Sequence, residues 1–188
     1  MNPLLEPPQL ETRHTQIRPP SQQFIEELYH LACCGQIPWQ WHGRGETPGS
    51  FQESLWNGIF VQFAIQDRRN GQGVGLISSY QANAHHGFAY VSMTLMPKYR
   101  LRVWPLEGAL LFANYLFVKY NLRNLYAESA EANFMQFSSG EGEIFEVEGK
   151  LKGHLLVNGQ PQDLYILRIS RESWFESGVK LLERCSGG

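Results

Sequence analysis

Apolar positions along the chain follow two periods, and the switches between them mark out the elements. Residues 14–18 read as a short first strand, stopped by Pro19-Pro20. Ser21 then caps a helix on which Phe24, Leu28, Leu31 and Ala32 share one face, with Gly35 as its stop. Residues 36–49 show no period. Ser50 and Glu53 have the spacing of a capping box, so a short helix is expected to open at Ser50 and close near Gly58. Apolar runs at 59–66 and 74–80 flank DRRNGQG, and an Asn-Gly pair between such runs signals a hairpin. Residues 88–96, rich in aromatic and β-branched positions, predict another strand.

Pro105 suits the first turn of a helix reaching about Tyr120, where Leu106, Ala109, Leu110, Ala113, Leu116 and Phe117 keep helical spacing. Leu111 and Phe112 widen that stripe, so this is a well-buried central helix. A strand at 125–129 and a short helix at 133–139 follow. Two strands, 145–157 and 163–170, meet around Asn158-Gly159, and a last helix covers 174–182. The order β-α-α-β-β-β-α-β-α-β-β, undivided by any linker, predicts one mixed α/β domain. Residues 1–11, with three prolines, read as an extended tail, and the domain as residues 12–184.

Composition changes this picture mainly by exclusion. Charged residues are 18% of the 188 positions against 43% hydrophobic, which rules out a disordered chain or a coiled coil. The formal charge of −2 lacks the basic surplus of a nucleic-acid binder. The longest apolar stretch, 106–118, is too short to span a bilayer, and the first residues lack a basic start and long apolar segment. Three cysteines without a Cys-x-x-Cys spacing point to a reduced, cytoplasmic protein with no metal site.

Several segments, taken in order, carry a resemblance: LETRHTQIRPP, GVGLISSY, FAYVSMTLMPKYR, RVWPLEGALLFANYLF, NLRNLYAES, Asn133, and IFEVEGKLKGHLLVNGQPQDLYILRIS. Together, over roughly residues 10–175, they resemble the GNAT acyltransferase superfamily, most closely the branch of ribosomal-protein N-terminal acetyltransferases. The resemblance implies a central, mostly antiparallel twisted sheet of about seven strands flanked by helices. It implies direct transfer of an acetyl or longer acyl group from acyl-CoA to a primary amine of a peptide, protein or small metabolite, in a monomer or homodimer. The alternative is a degenerate domain of this fold that binds acyl-CoA or a partner without turnover.

By the same resemblance, a splayed fourth strand supplies a backbone N–H to the thioester oxygen, here from Ser92, Met93, Thr94 or Leu95. The coenzyme A pyrophosphate is expected at the start of the central helix, near Lys98, Arg100, Arg102, Val103, Trp104 and Leu106. A helix N-terminus favours anions, and Arg side chains hold phosphate in bidentate fashion. The stretch departs from the family pattern, because Val103 and Pro105 stand where glycines are expected. Side-chain charge replaces part of the backbone cradle on the functional reading; a solvated basic turn is the other. Asn133 matches a position beside the pantetheine arm.

Candidates for proton transfer are Glu128, at the end of the fifth strand, as base, and Ser138 or Ser139 as donor to the leaving thiolate. Helix capping or a plain surface hydroxyl is the bland alternative for each serine, and a structural carboxylate for Glu128. Gln136 stands where the family often has serine. Glu107, in the first helical turn, would repel pyrophosphate and is expected to point elsewhere. His85 and His86, near Asn83, read as solvated loop residues. Cys33 and Cys34 read as packed within the first helix rather than as nucleophiles. Trp39, Trp41, Phe51 and Trp56 fill the core or line a pocket for a long acyl chain or an apolar acceptor.

Overall fold

The computed structural model describes residues 8–34, 47–157 and 159–187. The strand-forming runs become β1 (Thr15–Arg18), β2 (Ile59–Asp67), β3 (Gly73–Asn83), β4 (Phe88–Leu95), β5 (Asn124–Ala130), β6 (Glu146–Val157) and β7 (Gln160–Ser170). They form one sheet in the order β1-β2-β3-β4-β5-β7-β6, with β4–β5 the one parallel pair. The helices are α1 (Gln22–Cys33), α2 (Pro48–Ser54), α3 (Glu107–Lys119), α4 (Glu131–Phe134), α5 (Arg171–Ser173) and α6 (Val179–Ser186). The element order is the one the sequence predicts.

A parallel pair needs a crossover, and α3 supplies it between β4 and β5. Leu111, Phe112, Leu116 and Phe117 of α3 bury against Ile17, Ile65, Ile77, Ala89 and Leu125 of the sheet. The opposite face is covered by α1 and α2, whose Phe24, Leu28, Phe51 and Leu55 pack on Ala64 and Leu76. Gly108 explains how closely α3 approaches: a Cβ there would come within 2.9 Å of the Ile65 side chain. At the C-terminal end a wide π turn, Trp174–Gly178, joins α5 to α6. Its Gly178 lies under the buried Trp174 indole, where a Cβ would meet ring carbon at 2.3 Å.

Several boundaries differ from expectation for local reasons. The cap of α2 is Thr47, not Ser50: Thr47 Oγ1 accepts from the Ser50 amide at 3.2 Å, and Ser50 Oγ accepts from the Thr47 amide at 3.0 Å. With Pro48 in the first turn, Ser50 becomes the reciprocal partner of the box. Cys33 ends α1 and Cys34 follows it, and both thiols are exposed rather than packed. Residues 9–11 fold back: the Ile17 amide donates to the Leu10 carbonyl at 2.9 Å, and Gln9 Nε2 donates to Ser186 Oγ at 2.6 Å. At the far edge of the sheet, β6 breaks register between Val147 and Gly149 and again between Leu151 and Leu155. Gly35, Trp39, Trp41 and Asn158 lie outside the described residues.

Candidate active site

The sheet divides where its parallel pair ends. β4 and β5 pair from Phe88↔Asn124 to Val91↔Ala127 and no further. β4 nevertheless stays on β3 as far as Gly75↔Leu95, and β5 stays on β7 as far as Ala130↔Leu164. Each strand follows its outer neighbour, so β1–β4 and β5–β7–β6 become two blades with a wedge between them. In the antiparallel β3–β4 pair, bonded and non-bonded positions alternate. The Met96 amide donates to the Val74 carbonyl at 2.9 Å, which fixes the phase. Ser92 and Thr94 therefore turn their N–H groups to β3, while Met93 and Leu95 turn theirs to the wedge. Of the four residues singled out by sequence, two line it with backbone donors.

Side chains alternate in the opposite sense. Met93 and Leu95 pack into the α3 core. Ser92 and Thr94 face the α1 side, and Ser92 Oγ lies 3.2 Å from Ser78 Oγ. On that same face Tyr80, Tyr90 and Tyr126 form a row across β3, β4 and β5, their ring centroids 5.7 and 5.5 Å apart. Phe88 closes the row at 6.3 Å from Tyr90 and 6.0 Å from Tyr126. Glu128 stands two residues beyond Tyr126, exposed on the β5 side of the wedge. Burial, and then the neighbouring Glu128 and Tyr90, push the Tyr80 phenol above its ordinary range. It stays a neutral hydroxyl at any physiological pH. The sequence reading missed the three tyrosines; SSY, FAYVS and NLYAES each put one on an alternating position, but only the register aligns them.

After β4 the chain makes two 3₁₀ turns, Pro97–Tyr99 and Trp104–Leu106, before α3. Tyr99 Oη donates to Gln72 Oε1 at 3.1 Å, and Thr15 Oγ1 donates to the Trp104 carbonyl at 3.1 Å. Both ends of the loop are thus anchored, to the β2–β3 turn and to β1. The Arg102 and Leu106 amides are held in local turns, each donating over 2.9 Å, to Tyr99 and Val103 respectively. Pro105 is buried, while Leu101 and Val103 are 91% and 79% exposed. Lys98 and Arg102 are exposed, Lys98 Nζ lying 4.9 Å from the Tyr99 ring centroid, and Arg100 is half-buried. Glu107 accepts from the Thr12 hydroxyl, so its carboxylate is committed to the β1 side.

The remaining candidates lie on the second blade. Asn133 is half-buried in α4, which is fixed by Phe134 stacking on Tyr165 with centroids 4.2 Å apart. Ser138 Oγ donates to the Met135 carbonyl at 3.4 Å, and Ser139 is exposed. Glu128 pairs in register with Ile166, and Ser129 with Tyr165. Alternation therefore separates Glu128 from the α4 segment: they lie on opposite faces of the sheet, either side of the wedge. Phe51 is 1% exposed in the α1–α2 core, whereas Trp56 is 49% exposed. His85 and His86 are exposed. Among the described residues no group of three or more His, Cys, Asp or Glu is placed to hold a metal ion. No described helix is long and apolar enough to cross a membrane.

A seven-stranded sheet of this order, with a parallel central pair that parts toward its C-terminal end, is the fold of the GCN5-related N-acetyltransferases. A GCN5-related N-acetyltransferase from Brucella melitensis superposes with a TM-score of 0.67 at 19% identity, over 95% of this chain and 86% of that one. The spermidine N-acetyltransferase from Vibrio cholerae, solved in complex with CoA and spermine, gives a TM-score of 0.67 at 18% identity, over 86% of this chain and 98% of that one. No protein-family model and no curated protein sequence matches the chain.

Proposed function

We propose that the chain is an N-acyltransferase that moves an acetyl or longer acyl group from acyl-CoA directly to a primary amine. The observation that carries this is the parting of β4 from β5 beyond Val91 and Ala127, with the amides of Met93 and Leu95 on one side and Glu128 on the other. The Vibrio cholerae neighbour, a complex with CoA and spermine, supports both substrate classes. Exposed Lys98 and Arg102, with Arg100 between them, fit an anionic pyrophosphate near the α3 start, alongside Val103, Trp104 and Leu106. Asn133 and the edge residues 92–95 would flank the arm that leads to the thioester.

Bound acyl-CoA supplies an acyl carbon already activated by its sulfur. One of the two N–H groups, that of Met93 or that of Leu95, which stand about 7 Å apart along the strand, donates to the thioester oxygen as negative charge develops there. Glu128 accepts a proton from the amine, freeing the lone pair that attacks. The C–N bond forms as the C–S bond breaks, and the sulfur leaves with a proton for which the Ser138 and Ser139 hydroxyls are the candidates on the α4 side. The amine thus enters from the tyrosine face and the thioester from the opposite one. No cysteine takes part. By the same reading the acceptor belongs to a peptide, protein or small metabolite. The protein is cytoplasmic, a monomer or homodimer without a nucleic-acid partner, and akin to the ribosomal-protein branch.

Thiol release from acetyl-, butanoyl- and dodecanoyl-CoA, measured against a panel of amines, tests this. The expected result is release that depends on the amine, with a product heavier by one acyl group in mass spectrometry. Tight acyl-CoA binding without release for any amine would instead establish a binding domain without turnover, which Val103 and Pro105 in the phosphate loop favour.

A further inference from the structure

The row of Tyr80, Tyr90 and Tyr126 is larger than proton transfer requires. Three neighbouring strands each place a tyrosine at the same level, and the rings lie tilted by only 36° and 33° to their neighbours. Beyond the row stands Glu128, which joins no ion pair among the described residues. Arg168, the cation in register with Tyr126, is taken up by Glu146 and Glu148. Electron-rich rings beside an unmatched carboxylate attract a cation and repel an anion.

Resting on the acyl-transfer reading, we propose that this row recognises the acceptor as an alkylammonium ion with no anionic group beside the amine. The rings hold the charge in a partly desolvated place, and Glu128 is its counter-ion until it takes the proton. Amines that carry a neighbouring carboxylate or phosphate are excluded by Glu128. The tyrosines are specificity-determining positioning residues, and Glu128 alone touches the transferred proton.

The probe is choline, whose quaternary nitrogen cannot be acylated, against its uncharged isostere 3,3-dimethylbutan-1-ol, titrated into the full chain without acyl-CoA. Choline is expected to bind about tenfold more tightly than the alcohol, and to compete with the amine but not with acyl-CoA. Tyr90→Leu and Tyr126→Leu should each lose most of that preference, while Tyr90→Phe keeps it. Glu128→Gln should weaken choline binding and flatten its salt dependence. Equal affinity for the two probes, or choline binding unchanged in both leucine variants, would overturn the proposal; the probe comparison on the unmodified protein stands even where a variant fails to fold. A protein that transfers acyl groups but ignores choline defeats this site and leaves the acyl-transfer reading intact. One that binds choline but never releases thiol defeats that reading and, with it, the cation's role as acceptor.

Discussion

The two blades that part beyond Val91 and Ala127 are fastened to different degrees. The first, β1 to β4, has apolar cover on both faces, from the α3 residues Leu111, Phe112 and Phe117 and from Phe24, Phe51 and Leu55 of α1 and α2. The second joins the α3 core through Leu125 and Ile169, and otherwise leans on a smaller group around Phe134, Phe145 and Leu167 and on surface ion pairs such as Lys150–Asp163 at 2.8 Å. Burying apolar area stabilises by roughly 25 cal/mol per Å², whereas exposed ion pairs are mostly worth about 0–1 kcal/mol. The larger share of apolar burial therefore lies in the first blade, which presents the Met93 and Leu95 donors on an edge covered from both sides. The second blade presents Glu128 and the α4 segment on a lighter support.

Phe112→Ala should break the first blade outright, at about 3–5 kcal/mol, read as a large drop in melting temperature. Glu128→Gln should leave the fold intact and lower kcat by about 100-fold or more with little change in acyl-CoA affinity, seen in steady-state kinetics. Replacing Arg100 and Arg102 together by Ala should weaken coenzyme A binding roughly tenfold and reduce its salt dependence in calorimetry. Gly108→Ala should cost about 1–3 kcal/mol in denaturant melts, since the added Cβ must displace Ile65.

The smallest effect concerns acid. Asp67, buried at the β2–β3 turn, is held below its ordinary value of 3.8, first by hydrogen bonding to the Arg69 guanidinium. Its folded value lies below its unfolded one, so the stability it contributes is complete above the unfolded value and fades as pH falls through the folded one. Asp67→Asn should flatten the acid limb of a stability–pH curve below about pH 4, with little dependence on salt. A limb unchanged in the variant would show that the acid sensitivity lies elsewhere.

Much of the fold was legible because its elements are locally consistent. Ser21 does cap α1, accepting from the Phe24 amide at 3.2 Å, whereas Pro105, expected in the first turn of α3, falls in the 3₁₀ turn Trp104–Leu106 that leads into it. The α2 cap was misplaced because Thr47 and Ser50 both offer hydroxyls at box spacing, and the Pro48 between them decides which leads. Helix periodicity does not tell where a helix ends, which is why it places the cysteines in a packed helix although Cys33 stands exposed at the last turn of α1. The basic run near α3 and Glu128 could be named from residue type and position. The tyrosine row could not, since three residues from three strands become neighbours only through registers that no local pattern specifies. Nor could a sequence show that Glu128 and Ser138 lie on opposite faces of one sheet.

The breaks in β6 bear on how molecules of this protein meet one another. A sheet ends in strands whose outer N–H and C=O groups are open to any passing chain, and long flat edges seed aggregation. One edge here, β1, is four residues long and is partly taken by the Glu11–Gln16 bridge. The other is the twelve-residue β6, with exposed Leu151 and Leu156. Its two register shifts and its Glu146, Glu148, Lys150 and Lys152 charges deny a second molecule a straight, apolar template. Straightening that edge, by removing the bulged residues or the lysines, should leave the wedge untouched yet lower the concentration at which the protein precipitates.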